Sequence, residues 1–196
     1  MSDADLRVSP LHDRHDALGA KLLALGGKEV AWQEPEPHSQ QLLSRGRLFT
    51  DPVRFCGGEL NACHRNAARL WARAPDTRRI VVGYARNGDI WRQHTWVWNG
   101  KCLHETTYLF DQYFGAVLGN EEALHFWVSN IGKAGASTDL AEYNDYLDQF
   151  PALEEIMLKL ILRLECRGLM KPGASPRDQA RAGATGSPAL QSAATL

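Results

Sequence analysis

Two Asn-Gly dipeptides, Asn87-Gly88 and Asn99-Gly100, separate stretches in which β-branched and aromatic residues dominate, and nothing else restricts the fold of this chain so tightly. Asn-Gly readily supplies the positive-φ positions of a two-residue hairpin loop. The runs 80–85, 91–98 and 101–106 are therefore expected to form a three-stranded antiparallel meander, with 113–118 as a short fourth strand.

On both sides of this sheet the hydrophobic period becomes that of a helix. Leu11, Leu18, Leu22 and Leu25 fit one amphipathic face, and Gly26-Gly27 stops it. Over 60–74, Cys63, Ala67, Leu70, Trp71 and Ala74 share one side, Arg65, Arg69 and Arg73 the other, and Pro75 ends the helix. Beyond Asn120 three further faces follow: Leu124, Trp127, Val128 and Ile131; then Leu140, Tyr143, Leu147 and Phe150; then Leu153, Ile156, Met157, Leu160, Ile161 and Leu164. Helices, an antiparallel sheet and more helices, in that order, spell an α+β domain rather than a doubly wound one.

Composition sets the limits. With 44% hydrophobic residues the chain can build a core, but from Gly168 onward it is rich in Ala, Gly, Ser and Pro and has no aromatic residue. Such a stretch buries too little surface to offset the entropy of ordering it. The expected organisation is a flexible N-terminus over 1–10, a single α+β domain over 11–167 with its core at 55–118 and C-terminal helices at 120–166, and a disordered tail over 168–196. Residues 32–37 read as a proline-broken connector. No apolar run is long enough for a membrane span, and the acidic start Met1-Ser2-Asp3-Ala4-Asp5 is unlike a secretory signal, so no membrane partner and a cytoplasmic location are expected. A formal charge of −1 gives nucleic acid no overall attraction. The four cysteines are too sparse for a disulfide scaffold and contain no CxxC pair, so neither a metal nor a cofactor is expected.

With Asn99-Gly100 as a two-residue loop, Trp98 faces Lys101, Trp96 faces Leu103 and His94 faces Glu105. Directly opposed residues share a sheet face with Cβ atoms about 4.5–5.5 Å apart, close enough for a carboxylate to fix an imidazole's tautomer and orientation. Trp96, Trp98 and Leu103 on the same face argue that it is covered rather than wet. Cys63 opens its helix after Gly57-Gly58 and Asn61, an N-cap candidate, where unpaired amides and the helix dipole favour a thiolate. Cys63, His94 and Glu105 are thus the nucleophile, base and orienting acid of covalent acyl transfer, with the Cys63 amide as oxyanion donor. Trp96 and Asn61 are assigned to substrate binding. The competing reading is a non-catalytic interaction domain in which Cys63 is a buried core residue. A zinc site from Cys56, Cys63, His64, Cys102 and His104 fits no common ligand spacing, and alternation puts Cys102 and His104 on the face away from His94.

The ordered set Cys63-His64-Arg65-Asn66-Ala67, Gly83-Tyr84-Ala85, His94-Thr95-Trp96, Glu105-Thr106 and Tyr113-Phe114-Gly115 resembles small bacterial and phage proteins with a papain-like, transglutaminase-like core. The resemblance spans roughly residues 55–118 and implies a nucleophile-bearing helix packed on a sheet of three or four antiparallel strands, with flanking helices. It implies a Cys63, His94, Glu105 triad acting on a peptide, protein or small amide or ester, as a hydrolase, deamidase or transglutaminase-like enzyme. The chain departs from the pattern in having Glu105 where Asp is usual and in lacking a Gly-x-Cys-Trp signature.

Overall fold

A computed structural model describes residues 10–33, 36–131 and 151–171. The helix expected around Leu140, Tyr143, Leu147 and Phe150 and the tail from 172 onward lie outside the described residues, as do residues 1–9. The chain divides into two compact units, Met1–Gly119 and Asn120–Leu196. The boundary falls between the expected sheet core and the expected C-terminal helices.

The first unit contains α1 (Pro10–Ala24), β1 (Glu29–Ala31), α2 (Ser39–Arg45), β2 (Arg47–Phe49), β3 (Val53–Phe55), α3 (Cys63–Ala72), β4 (Arg79–Asn87), β5 (Ile90–Trp98), β6 (Leu103–Glu105) and β7 (Gln112–Val117). Its mixture of helices and sheet is α+β, as expected, but the sheet is larger than three or four antiparallel strands. Seven strands pair in the order β2-β7-β4-β5-β6-β3, with β1 on β5, and the β1–β5 and β3–β6 pairs are parallel. Strands β1, β2 and β3 have three residues each, too few for alternation to show in the sequence. The fourth meander strand, β7, returns beside β4 rather than β6. Gly83 and Gly115 meet there, and a side chain on Gly83 would overlap the Phe114 carbonyl oxygen.

Both hairpins form, in registers other than the expected ones. Asn87 pairs with Ile90, so the first loop is Gly88-Asp89, with Gly88 at φ +58°. In the second, Trp98 pairs with Leu103 and Val97 with His104, which makes residues 99–102 the loop. Asn99 causes the widening: its side-chain oxygen accepts hydrogen bonds from the amides of Lys101 at 3.0 Å and Cys102 at 2.9 Å, an Asx turn. The register moves by two residues, so every side chain keeps its face. Leu103 and Glu105 stay with His94 and Trp96, and Cys102 and His104 lie on the other side.

One face of the sheet carries the core of Leu18, Leu22, Leu42, Tyr84, Trp91 and Phe114, and the other carries Phe49, Val81, Ala85, Trp96, Leu103 and Tyr113. Strand β5 pairs along its whole length with β4, but its second edge is divided: residues 90–92 pair with β1 and 97–98 with β6. Among the described residues, none pairs as a strand with 93–96 on that edge. The gap contains His94.

In the second unit, α4 (Asn120–Ile131) buries Ala123, Leu124, Phe126, Trp127 and Val128, and α5 (Pro151–Cys166) carries buried Met157, Leu160, Ile161 and Leu164. Helix α5 closes with amides of Gly168 and Leu169 donating to the carbonyls of Glu165 and Leu164, Gly168 taking φ +65° as such a cap requires. Buried Met170 follows. The packed chain thus runs past Gly168, where the tail was expected to begin, because Gly168 caps a helix. No helix among the described residues is long and apolar enough to cross a membrane.

Candidate active site

Three pieces of chain meet at the open stretch of β5. The first is the start of α3. The loop leading into it is tied down by the Cys56 amide, which donates to the Glu105 carbonyl at 2.8 Å, and by buried Asn66, whose side-chain nitrogen donates to the Glu59 carbonyl at 2.7 Å. Gly58 passes so close to Asn66 that a Cβ there would sit 2.6 Å from the amide nitrogen. Arg65 and Arg69 both pair with Glu59 and hold the loop from the solvent side. These ties deliver Cys63 as the first residue of α3, where amides lack intrahelical acceptors. Asn61 is not the N-cap. It takes φ +58° in the turn, and Ala62 occupies the cap position without a side-chain bond.

The second piece is β5 itself. His94 is buried, its ring stacked over Trp96 with centroids 6.1 Å apart and covered by Phe110 at 4.6 Å. The third is the end of β6. The Glu105 carboxylate has no exposed surface and both oxygens are engaged: Oε2 meets His94 Nε2 at 2.8 Å, while Oε1 accepts from the amides of Thr106 at 2.7 Å and Thr107 at 2.8 Å and from the Thr107 hydroxyl at 3.1 Å. Because the register places Trp96, not His94, directly opposite Glu105, the contact is diagonal. Diagonal Cβ atoms stand about 7–8 Å apart. The extra methylene of Glu supplies the reach that Asp would lack.

Glu105 engages Nε2 of His94, which leaves Nδ1 as the ring nitrogen available to the Cys63 thiol; the two side chains line one cavity, and each shifts the titration of the other. Cys63 has a second imidazole partner, His64, whose Nδ1 lies 3.1 Å from its sulfur. Burial opposes the thiolate, but the hydrogen bonds from His64 and His94 and their positive charges outweigh it and bring the thiol down to about 5. For His94, burial again opposes the charged form, and the bonds and charges of Cys63 and Glu105 overcome it, raising the imidazole to about 9. Burial also works against ionised Glu105, yet bonds and charge from His94 and the Thr106 and Thr107 amides keep it below the usual carboxylate range. All three shifts favour the charged forms, a thiolate at Cys63, an imidazolium at His94 and a carboxylate at Glu105.

Cys63 and His94 open into a cavity of about 450 Å³ whose lining also includes His64, Arg92, Gln93 and Tyr108. Asn61, assigned to substrate binding, lines it too. Trp96, given the same role, has no exposed surface and is not on the cavity wall; it is packed beneath His94, against Phe49 and Tyr113. Sequence reasoning missed His64 as a thiol partner, although its adjacency to Cys63 was visible, and missed Phe110, which no pattern marks. Alternation along β5 turns Gln93 to the face opposite His94. It borders the cavity nonetheless, since β5 has no neighbour there, and its amide nitrogen donates to buried Glu36 at 2.9 Å. That carboxylate also accepts from the Tyr84 hydroxyl at 2.7 Å and the His38 amide at 3.0 Å.

The remaining cysteine–histidine contact lies elsewhere. Cys56 sulfur is 3.4 Å from Nδ1 of His104, on the sheet face away from His94, and Cys102 points its sulfur at the Leu103 carbonyl at 3.2 Å. Among the described residues no three His, Cys, Asp or Glu side chains gather as a metal would need. Comparison of the chain with family models, curated proteins and solved structures finds no match.

Proposed function

We propose that this chain is a thiol-dependent acyl-transfer enzyme with a papain-like, transglutaminase-like core. One observation carries the reading: the Cys63 thiol and the His94 ring line one open cavity, and the buried Glu105 carboxylate hydrogen-bonds that ring at 2.8 Å. In the first half-reaction the Cys63 thiolate attacks the carbonyl carbon of an amide or ester. The oxyanion meets the α3 N-terminal amides, and as the carbon–nitrogen or carbon–oxygen bond breaks, His94 gives its proton to the departing amine or alcohol. Water or an amine then attacks the Cys63 thioester, His94 takes the proton, and the thiolate leaves. Glu105 touches no reacting atom; it positions His94 and stabilises the imidazolium.

The test is trapping. Incubation with 4-nitrophenyl esters is expected to give a mass increase equal to the acyl group on Cys63, visible early and lost with turnover, absent in Cys63→Ala and reduced by a factor of 100 or more in His94→Ala, on the order of what a general base contributes. Acylation of Cys166 at the same rate as Cys63 would end the proposal. A binding role without catalysis has one observation in its favour, the exposure of Phe55, Leu60 and Leu109 on the same unit, each more than half accessible. It predicts no adduct at all.

A further inference from the structure

Beyond the triad, the cavity wall carries an uneven set of charges. Its described lining contains no carboxylate side chain, several carboxamides, including Asn61, Asn87 and Gln93, and one permanently charged group, Arg92. Arg92 and His94 lie on the same face of β5, two residues apart, which places their Cα atoms about 6.7 Å from each other. Among the described residues Arg92 forms no ion pair, whereas Arg65 and Arg69 are both satisfied by Glu59. Arg92 therefore brings a guanidinium to the wall of the same cavity that Cys63 and His94 line.

From this we infer that the substrate carries a carboxylate a few carbon atoms from the acyl carbon that Cys63 attacks, and that Arg92 binds it. The inference rests on the acyl-transfer reading and adds a substrate class to it. A guanidinium fork matches a carboxylate with two parallel hydrogen bonds, and neighbouring carboxamides supply further donors without competing negative charge. A single permanent cation suits a monoanion; a phosphate dianion would call for more positive charge than the wall provides. Among the described lining residues Arg92 is the permanent cation and no carboxylate opposes it, so it biases the cavity toward an anion. An acidic acyl donor is thus attracted, and a cationic one repelled, before any bond to sulfur forms.

Two matched probes decide the matter. The 4-nitrophenyl ester of glutaric acid carries a free carboxylate, and its 4-carbamoylbutanoate counterpart has the same shape without the charge. In the wild-type chain the glutarate ester is expected to acylate Cys63 with a kcat/KM about 10 to 100 times that of the carbamoyl ester, the range of one charge-assisted bidentate contact. In Arg92→Gln that ratio falls toward one, in Arg92→Lys it is intermediate, and in Arg92→Glu it inverts. Binding is read separately from turnover: glutaramate, a monoanion, should slow iodoacetamide labelling of Cys63 saturably, glutaramide should not, and the protection should vanish in Arg92→Gln. Equal rates for the two esters overturn the carboxylate site and leave acyl transfer standing. Arg92-dependent protection without any acylation keeps the carboxylate site and overturns acyl transfer. Neither protection nor a rate difference overturns the inference outright.

Discussion

A thiol flanked by two imidazoles ionises for a different reason from one beside a single base, and at Cys63 the two contributions are separable. His64 is adjacent in sequence and half-buried; His94 is buried and backed by a carboxylate. The rate of iodoacetamide alkylation of Cys63 should follow a midpoint near pH 5. Either His64→Ala or His94→Ala should move that midpoint up toward the ordinary thiol value of about 8.5, by two or more pH units when both are removed. Only His94→Ala should also abolish turnover, because His94, hydrogen-bonded to buried Glu105, is the ring that carries the proton in the proposed reaction. Glu105 gives a second test at this scale. Its replacement by Gln removes the charge from a fully buried position hydrogen-bonded through both oxygens, and its replacement by Asp shortens the side chain of a contact that is already diagonal. Urea denaturation should show Glu105→Gln destabilised by about 3–5 kcal/mol, the usual cost of breaking a buried pair. Glu105→Asp should lose the His94 bond nearly as completely, read as a fall of the His94 imidazolium pKa by NMR. A wild-type-like value in Glu105→Asp would show that the contact does not need the longer side chain.

The elements show which parts of this site follow from local pattern. Helix α3 and strands β4 and β5 are legible from period alone, and the order Cys63, His94, Glu105 along the chain is legible with them. The register between β5 and β6 is not. It was read as a two-residue Asn99-Gly100 loop, whereas the Asn99 side chain folds back on the amides of Lys101 and Cys102 and forces four residues into the turn. The pairing of His94 with Glu105 survived that error because the slip is two residues, and a period of two restores the face. The approach of α3 is just as invisible in sequence, since it depends on Asn66 bridging to a loop seven residues away. Asn66→Ala removes the buried clasp and should cost about 1–3 kcal/mol. It should also raise the alkylation midpoint of Cys63, although Asn66 does not touch the sulfur. An unchanged midpoint would mean that the Cys56 amide and the Glu59 ion pairs hold the helix start without Asn66.

At the scale of the whole molecule the coupled charges predict how stability depends on pH. The His94 imidazole rises from 6.5 to about 9 on folding, so its contribution is complete below 6.5 and is lost as pH climbs through about 9. The Cys63 thiol falls from 9.0 to about 5, so its contribution is present above 9 and is lost as pH falls through about 5. Between 6.5 and 9 one declines as the other grows, and folded and unfolded chains each hold one proton on the pair. Below 6.5 the unfolded chain holds two and the folded chain one. The free energy of unfolding should therefore be level from about pH 6.5 to 9 and decline below, by about 2 kcal/mol at pH 5 at 1.36 kcal/mol per unit. Glu105, held below its ordinary value, adds a further loss at more acid pH as its own proton returns. Cys63→Ala should remove the decline between 6.5 and 5. A wild-type curve with no such decline would show that the thiol is not ionised at neutral pH.

Taken alone, the sequence determined which residues alternate, which repeat at helical spacing, and which face of each strand a side chain occupies, because these follow from backbone periods that act over a few residues. It therefore determined that Cys63 opens a helix and that His94 and Glu105 share a sheet face. Only the tertiary structure decided that three short strands join the sheet, that β1 and β6 divide one edge of β5, and that the cavity opens in the gap between them. It also buried Trp96 under His94 and left Arg92 on the cavity wall. Those outcomes depend on contacts between residues far apart in the chain, whose energies no local pattern records.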